Sequence, residues 1–204
     1  MREVDWQKTG RASSYAAFIN APMPMVTLFK TLDIKPLFKL KEEGHKLNTL
    51  FTYCIGKAAS TIPEFYLLPV EKKLILYDQL GISVIIKNRK GTLSNCDIPF
   101  SDQLDTYEQA YLERTRQVYE SCQDLELTDH MMIGTSSLIH YDIDGLVNMY
   151  CGLNNPMLFW GKQQEGKLKV SFQFHHVQMD GLEACAFLER MSSLGNSEQK
   201  KQSS

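Results

Sequence analysis

Two adjacent histidines and an aspartate carry the clearest chemical signal in the chain, within Phe172-Gln173-Phe174-His175-His176-Val177-Gln178-Met179-Asp180-Gly181. An imidazole titrates close to neutrality, so a neutral histidine held in place can take a proton from a hydroxyl and hand it on within one cycle. A metal site at His175, His176 and Asp180 is a second chemistry for these residue types. It is disfavoured because a strand sends consecutive side chains to opposite faces. A structural reading also exists: Asp180-x-x-Glu183 has the form of a capping box at a helix start.

The flanking residues indicate how such a histidine would be positioned. Leu168, Val170, Phe172 and Phe174 alternate with Lys169, Ser171 and Gln173, the period-2 pattern of a half-buried strand, which puts His176 on the apolar side and His175 on the polar side. After Asp180-Gly181, the spacing of Ala184, Phe187, Leu188 and Met191 predicts an amphipathic helix. His176 is therefore expected at a strand end feeding a loop and a helix, where a side chain can be rigid and still meet a substrate.

The pattern His-His-x-x-x-Asp-Gly, with Gln173 two residues before His175, resembles the active-site motif of the trimeric, non-hexapeptide chloramphenicol acetyltransferase family. It is more distantly similar to the acyltransferase cores of 2-oxo acid dehydrogenase complexes and to the condensation domains of peptide synthetases. The resemblance extends in patches over most of the chain, through Arg11 four residues before Tyr15, Pro63-Glu64-Phe65, and Gly161-Lys162. It implies acetyl transfer from acetyl-CoA to a hydroxyl of a small-molecule alcohol, with His176 as general base and no metal. It further implies that Arg11 pairs with Asp180 to fix the turn after the strand. The family's oxyanion-binding serine is best matched by Ser137 in Gly134-Thr135-Ser136-Ser137-Leu138-Ile139-His140, with Ser136 as its rival. The Pro-Trp of that family stretch is missing here. Acceptor-binding positions fall at Met25, Val26 and Phe159, and the usual aromatic-His after Asp-Gly is replaced by Leu182-Glu183. The resemblance also implies a homotrimer with shared sites. Two other readings stand beside it: an acyltransferase using a carrier-bound or lipoyl thioester, and a catalytically silent trimeric binding protein.

Composition is compatible with this picture. At 204 residues and 43% hydrophobic, the chain can bury the core of one domain, expected over 1–191 with a mobile polar tail at 192–204. A net charge of -2 with no long basic run gives no electrostatic case for nucleic acid or an anionic membrane. The first residues lack the apolar segment of a signal peptide and no apolar run could span a bilayer, which leads to a cytoplasmic expectation. Five scattered cysteines, none in a Cys-x-x-Cys pair, signal neither a disulfide framework nor zinc.

Along the chain, a strand is expected over Met25 to Leu32, followed by a short helix with Asp33 as cap and Pro36 in its first turn. A longer helix carries Leu47, Leu50, Phe51, Cys54, Ile55 and Ala58 on one stripe. Lys73 to Tyr77 and Ile82 to Lys87 are β-rich, with hairpin chemistry at Asn88-Arg89-Lys90-Gly91. Asp105 caps a helix to about Cys122, and strand character dominates Met131 to Asn148 and Leu158 to His176. The expected fold is a two-layer α/β sandwich with a mixed sheet.

Overall fold

In the computed structural model, the backbone is described for residues 1–201 and side chains for residues 1–193. In chain order the strands are β1 (Arg2–Val4), β2 (Met25–Asp33), β3 (Leu67–Val70), β4 (Lys73–Leu76), β5 (Leu80–Lys87), β6 (Leu93–Pro99), β7 (Met131–Ser137), β8 (Met157–Trp160) and β9 (Lys167–His175). The helices are α1 (Ala12–Phe18), α2 (Pro36–Glu42), α3 (Leu47–Ala59), α4 (Leu104–Ser121) and α5 (Gly181–Lys201). The residues expected to form a tail thus begin as the continuation of α5, and 202–204 lie outside the described residues.

Six strands form a sheet in the order β2-β9-β8-β7-β5-β6, in which β7 runs parallel to β5 and β8 and all other pairs are antiparallel. The sandwich is two-layered and its sheet is mixed. Residues opposite one another in register share a face. One face presents Leu158, Trp160, Val170, Phe172 and Phe174 to Phe51 and Ile55 of α3, Tyr107 of α4 and Phe187 of α5, all within one apolar cluster. Phe172 and Phe174 have no exposed surface, and removing such a ring typically costs about 3–5 kcal/mol.

The other face departs from the expected alternation. Ser171, Gln173 and His175 are as buried as their apolar neighbours. The cover is the segment 138–156, whose first part, to Asn148, was expected to continue as strand but is irregular once β7 ends. It crosses this face and exchanges hydrogen bonds with the polar row: the Leu146 amide donates to Ser171 Oγ (2.8 Å), and Gln173 Nε2 donates to the Asn148 carbonyl (3.2 Å). Strand polarity here reflects a hydrogen-bonded cover rather than solvent. The approach is tight at Gly145, where any Cβ would collide with the Phe29 ring.

Other expectations were met with shifts. The Asn88–Gly91 turn joins β5 to β6 as a hairpin, but the strand at Lys73 pairs instead with β1 and β3 in a separate three-stranded antiparallel sheet. Position Gln103 caps α4 without a side-chain bond, leaving Asp105 in the first turn, where its charge favours the helix dipole. Asp33 ends β2 rather than capping α2, and accepts from the Lys35 amide at 3.1 Å.

Candidate active site

The chain reverses just past β9: the His175 carbonyl accepts from the Gln178 amide at 2.9 Å, and α5 begins three residues later. His176 lies one residue beyond the strand, opposite Pro24, whose carbonyl accepts its amide at 2.9 Å. Its side chain is 33% exposed, so it is not part of the apolar layer on which alternation had placed it. The turn has swung it out of the strand's periodicity.

Arg11 holds this turn. Only 6% exposed, it donates from Nε to the Val177 carbonyl (2.9 Å) and from Nη2 to the His176 carbonyl (2.8 Å). Its two Nη atoms also form a bidentate pair with the Asp180 carboxylate, each contact 2.7 Å. Planar fork geometry is what lets one guanidinium serve four acceptors. Hydrogen bonding to Arg11 holds the Asp180 carboxyl below its ordinary pKa, and the same bond raises that of Arg11. Asp180 also has a part in the capping box, through its backbone: its amide donates to Glu183 Oε2 at 3.0 Å, while its side chain is turned to Arg11. The structural and functional readings of Asp180 thus use different atoms of one residue.

His175 holds the turn from inside. Its Nδ1 accepts the Val177 amide at 3.0 Å, which leaves the ring proton of the neutral form on Nε2. Burial, with a smaller contribution from His176, pulls its pKa down to about 4. His175 is a neutral structural group at physiological pH.

The remaining site residues separate into two ends of the sheet. Met25 pairs with His175 and shares its face, whereas Val26 pairs with Phe174 and packs against the apolar core. Phe159 is buried opposite Ser171, further from the turn. Ser137, the last residue of β7, is opposite Trp160, which is opposite Val170, five residues before His175. At the usual strand spacing and rise, Ser137 and His176 of one chain are roughly 20 Å apart. Ser136, on the face of Phe159, is at the same end.

At that far end is a cavity of about 280 Å³ lined by Ile34, Leu47, Asn48, Phe51, Ile139, Trp160, Lys162 and Leu168. Asn48 donates to the Tyr111 hydroxyl at 2.9 Å, but its buried Oδ1 has no partner. Sequence reasoning did not find this cavity, because its walls come from five separate segments. The one available signal was Gly161-Lys162. No helix among the described residues is long and apolar enough to cross a membrane.

Comparison with known proteins assigns the chain to a family. A family model described as chloramphenicol acetyltransferase matches residues 1–192. Chloramphenicol acetyltransferase 3 of Escherichia coli is 26% identical over 186 residues, 85% of this chain and 87% of the relative. Chloramphenicol acetyltransferase 2 of the same organism is 27% identical over 201 residues, 92% of this chain and 93% of the relative. Among solved structures, a chloramphenicol acetyltransferase superposes with a TM-score of 0.76 at 20% identity, covering 94% of this chain and 98% of the other.

Proposed function

The chain belongs to the chloramphenicol acetyltransferase family, and from that premise we propose that it transfers an acetyl group from acetyl-CoA to a hydroxyl of a small molecule, chloramphenicol or a similar alcohol. The observation that carries this reading is the clasped turn: a partly exposed imidazole at a strand end, with its backbone gripped by Arg11 and its neighbour Asp180 locked in the same grip. His176 acts as general base. It removes the acceptor hydroxyl proton as the oxygen attacks the acetyl carbon, and the C–S bond then breaks as the proton passes to the departing thiolate. Arg11 and Asp180 aim the imidazole without touching substrate.

The developing oxyanion needs a donor about 3 Å away. Ser137, with Ser136 as its rival, is too distant in the same chain, so that donor comes from a second copy. This supports a homotrimer in which His176 of one subunit faces the Ser137 end of the next. The exposed apolar side chains of the cover over β9, Tyr141, Val147, Met149 and Leu153, supply a surface suited to self-association. The cavity beside Trp160 suits the apolar pantetheine arm of acetyl-CoA, with Lys162 and the N-terminus of α3 as its cationic features. Met25 borders the acceptor; Val26, facing the core, acts on it only through packing.

The test is thiol release from acetyl-CoA measured across a panel of alcohols that includes chloramphenicol. Acceptor-dependent release lost in His176→Ala is expected; release that never exceeds background hydrolysis for any alcohol would overturn the proposal. Light scattering should give about three times 23.4 kDa.

A further inference from the structure

The proposed base has no hydrogen bond that fixes its ring. His176 Nδ1 is buried and 3.1 Å from Asp180 Oδ1, but the contact lacks hydrogen-bond geometry, and the carboxylate is oriented by its two bonds from Arg11. What does meet the ring is Phe18, whose centroid is 4.2 Å from that of the imidazole at an interplanar angle of 11°. Phe18 is the last residue of α1, the helix that starts beside Arg11, and Ser14 of the same helix points its hydroxyl at Asp180 Oδ1, 3.5 Å away. One short helix therefore addresses the turn three times: Arg11 on its carbonyls and carboxylate, Ser14 on the same carboxylate, and Phe18 on the imidazole face.

We propose that Phe18 is a positioning residue for His176, holding the imidazole plane by stacking where no hydrogen bond does so, with α1 as the splint that keeps backbone and ring in one arrangement. This rests on His176 being the base. Near-parallel stacking covers a face of the ring and not its edge, so it leaves Nε2 to meet substrate while hindering rotation about the bond that joins ring to Cβ. A general base whose ring turns freely spends less time in line with the acceptor hydroxyl, and the loss appears in kcat rather than in binding of the acyl donor.

The test compares Phe18→Leu, which keeps apolar bulk but loses the flat face, with Phe18→Tyr, which keeps the face. Phe18 is only partly buried, so both variants should fold, which circular dichroism would verify. The Leu variant should lose about tenfold in kcat with KM for acetyl-CoA within about twofold, and the Tyr variant should stay within about twofold in both. Carbon relaxation of the labelled His176 ring in substrate-free protein should show new ring mobility in the Leu variant alone. A Leu variant with unchanged ring mobility overturns the proposal, whether or not it loses activity. His176→Ala assayed in parallel separates the two levels: if it stays active the general-base reading falls, while the relaxation data still judge the role of Phe18.

Discussion

The two ends of the large sheet are built on opposite principles. At the His176 end, polar groups dominate: a guanidinium, a carboxylate, two backbone carbonyls and a neutral imidazole are arranged around one turn. At the Ser137 end, aliphatic and aromatic walls enclose space, with Asn48 and its orphan amide oxygen, Lys162 and Gln163 as the polar features. One end is organised to hold a single side chain, the other to admit a ligand. For the acyl transfer proposed above, neither end alone would make a complete site, and their separation within a chain is what motivates the proposed pairing of two chains.

The most damaging change to the polar end is His176→Ala, expected to lower kcat by roughly a hundred- to ten-thousandfold with the circular dichroism spectrum unaltered. Next comes Ser137→Ala, expected to lose on the order of a hundredfold if its hydroxyl meets the oxyanion. The comparison sharpens when these two inactive variants are mixed and reassembled: a hybrid oligomer brings an intact His176 against an intact Ser137, so part of the activity should return. No recovery in verified hybrids would place base and donor in one chain, or remove Ser137 from the site.

Acid should weaken the polar end selectively. The folded-state pKa of His175, about 4, is below its ordinary value of 6.5, so the unfolded chain binds a proton that the folded one refuses. Stability then falls as pH drops from about 6.5 to about 4, by up to roughly 3 kcal/mol, and this contribution levels off below. His175→Asn, which keeps an acceptor for the Val177 amide, should flatten that slope in urea titrations. Asp180, with its pKa depressed by Arg11, contributes stability present above the ordinary carboxylate range and lost as pH falls through its folded value, a separate window at lower pH.

A smaller effect is expected for Arg11→Ala. The side chain of Asp180 is 45% exposed, so its stranded charge is partly solvated, and a loss on the order of 2 kcal/mol is expected rather than that of a fully buried pair. A double-mutant cycle with Asp180→Ala should show coupling above about 0.5 kcal/mol. Additive effects would mean that the carbonyl contacts alone hold the turn.

These differences track what was readable from residue order. β9 and α5 could be read from their periods, as could the Asn88–Gly91 hairpin, because each is set by local pattern. The break at Gly161–Gly166 between the two strands over Leu158 to His176 is marked by its glycines and is found there, whereas the strand expected from Ser137 on to Asn148 is a loop that no short-range pattern announced. Gln173 and His175 looked solvent-facing because periodicity records polarity, not what covers it. The Arg11–Asp180 pair spans 169 positions and was implied by resemblance alone, since no spacing rule links residues so far apart. The stack of Phe18 on His176 was missed for the same reason, and because an aromatic near a chain start is ordinarily packing.

The pairing of β2 with β9 has one further consequence. Met25 opposite His175 and Asp33 opposite Lys167 join the first sixth of the chain to its last fifth, so the sheet's edge cannot close until most residues are available. On a ribosome, the site would be the final thing assembled, after α2 to α4 and the β5–β6 hairpin had been able to condense. Long-range closure of this kind slows folding. Refolding should therefore show the imidazole–phenyl stack appearing last, and chains cut short before α5 should never display even a transient active centre.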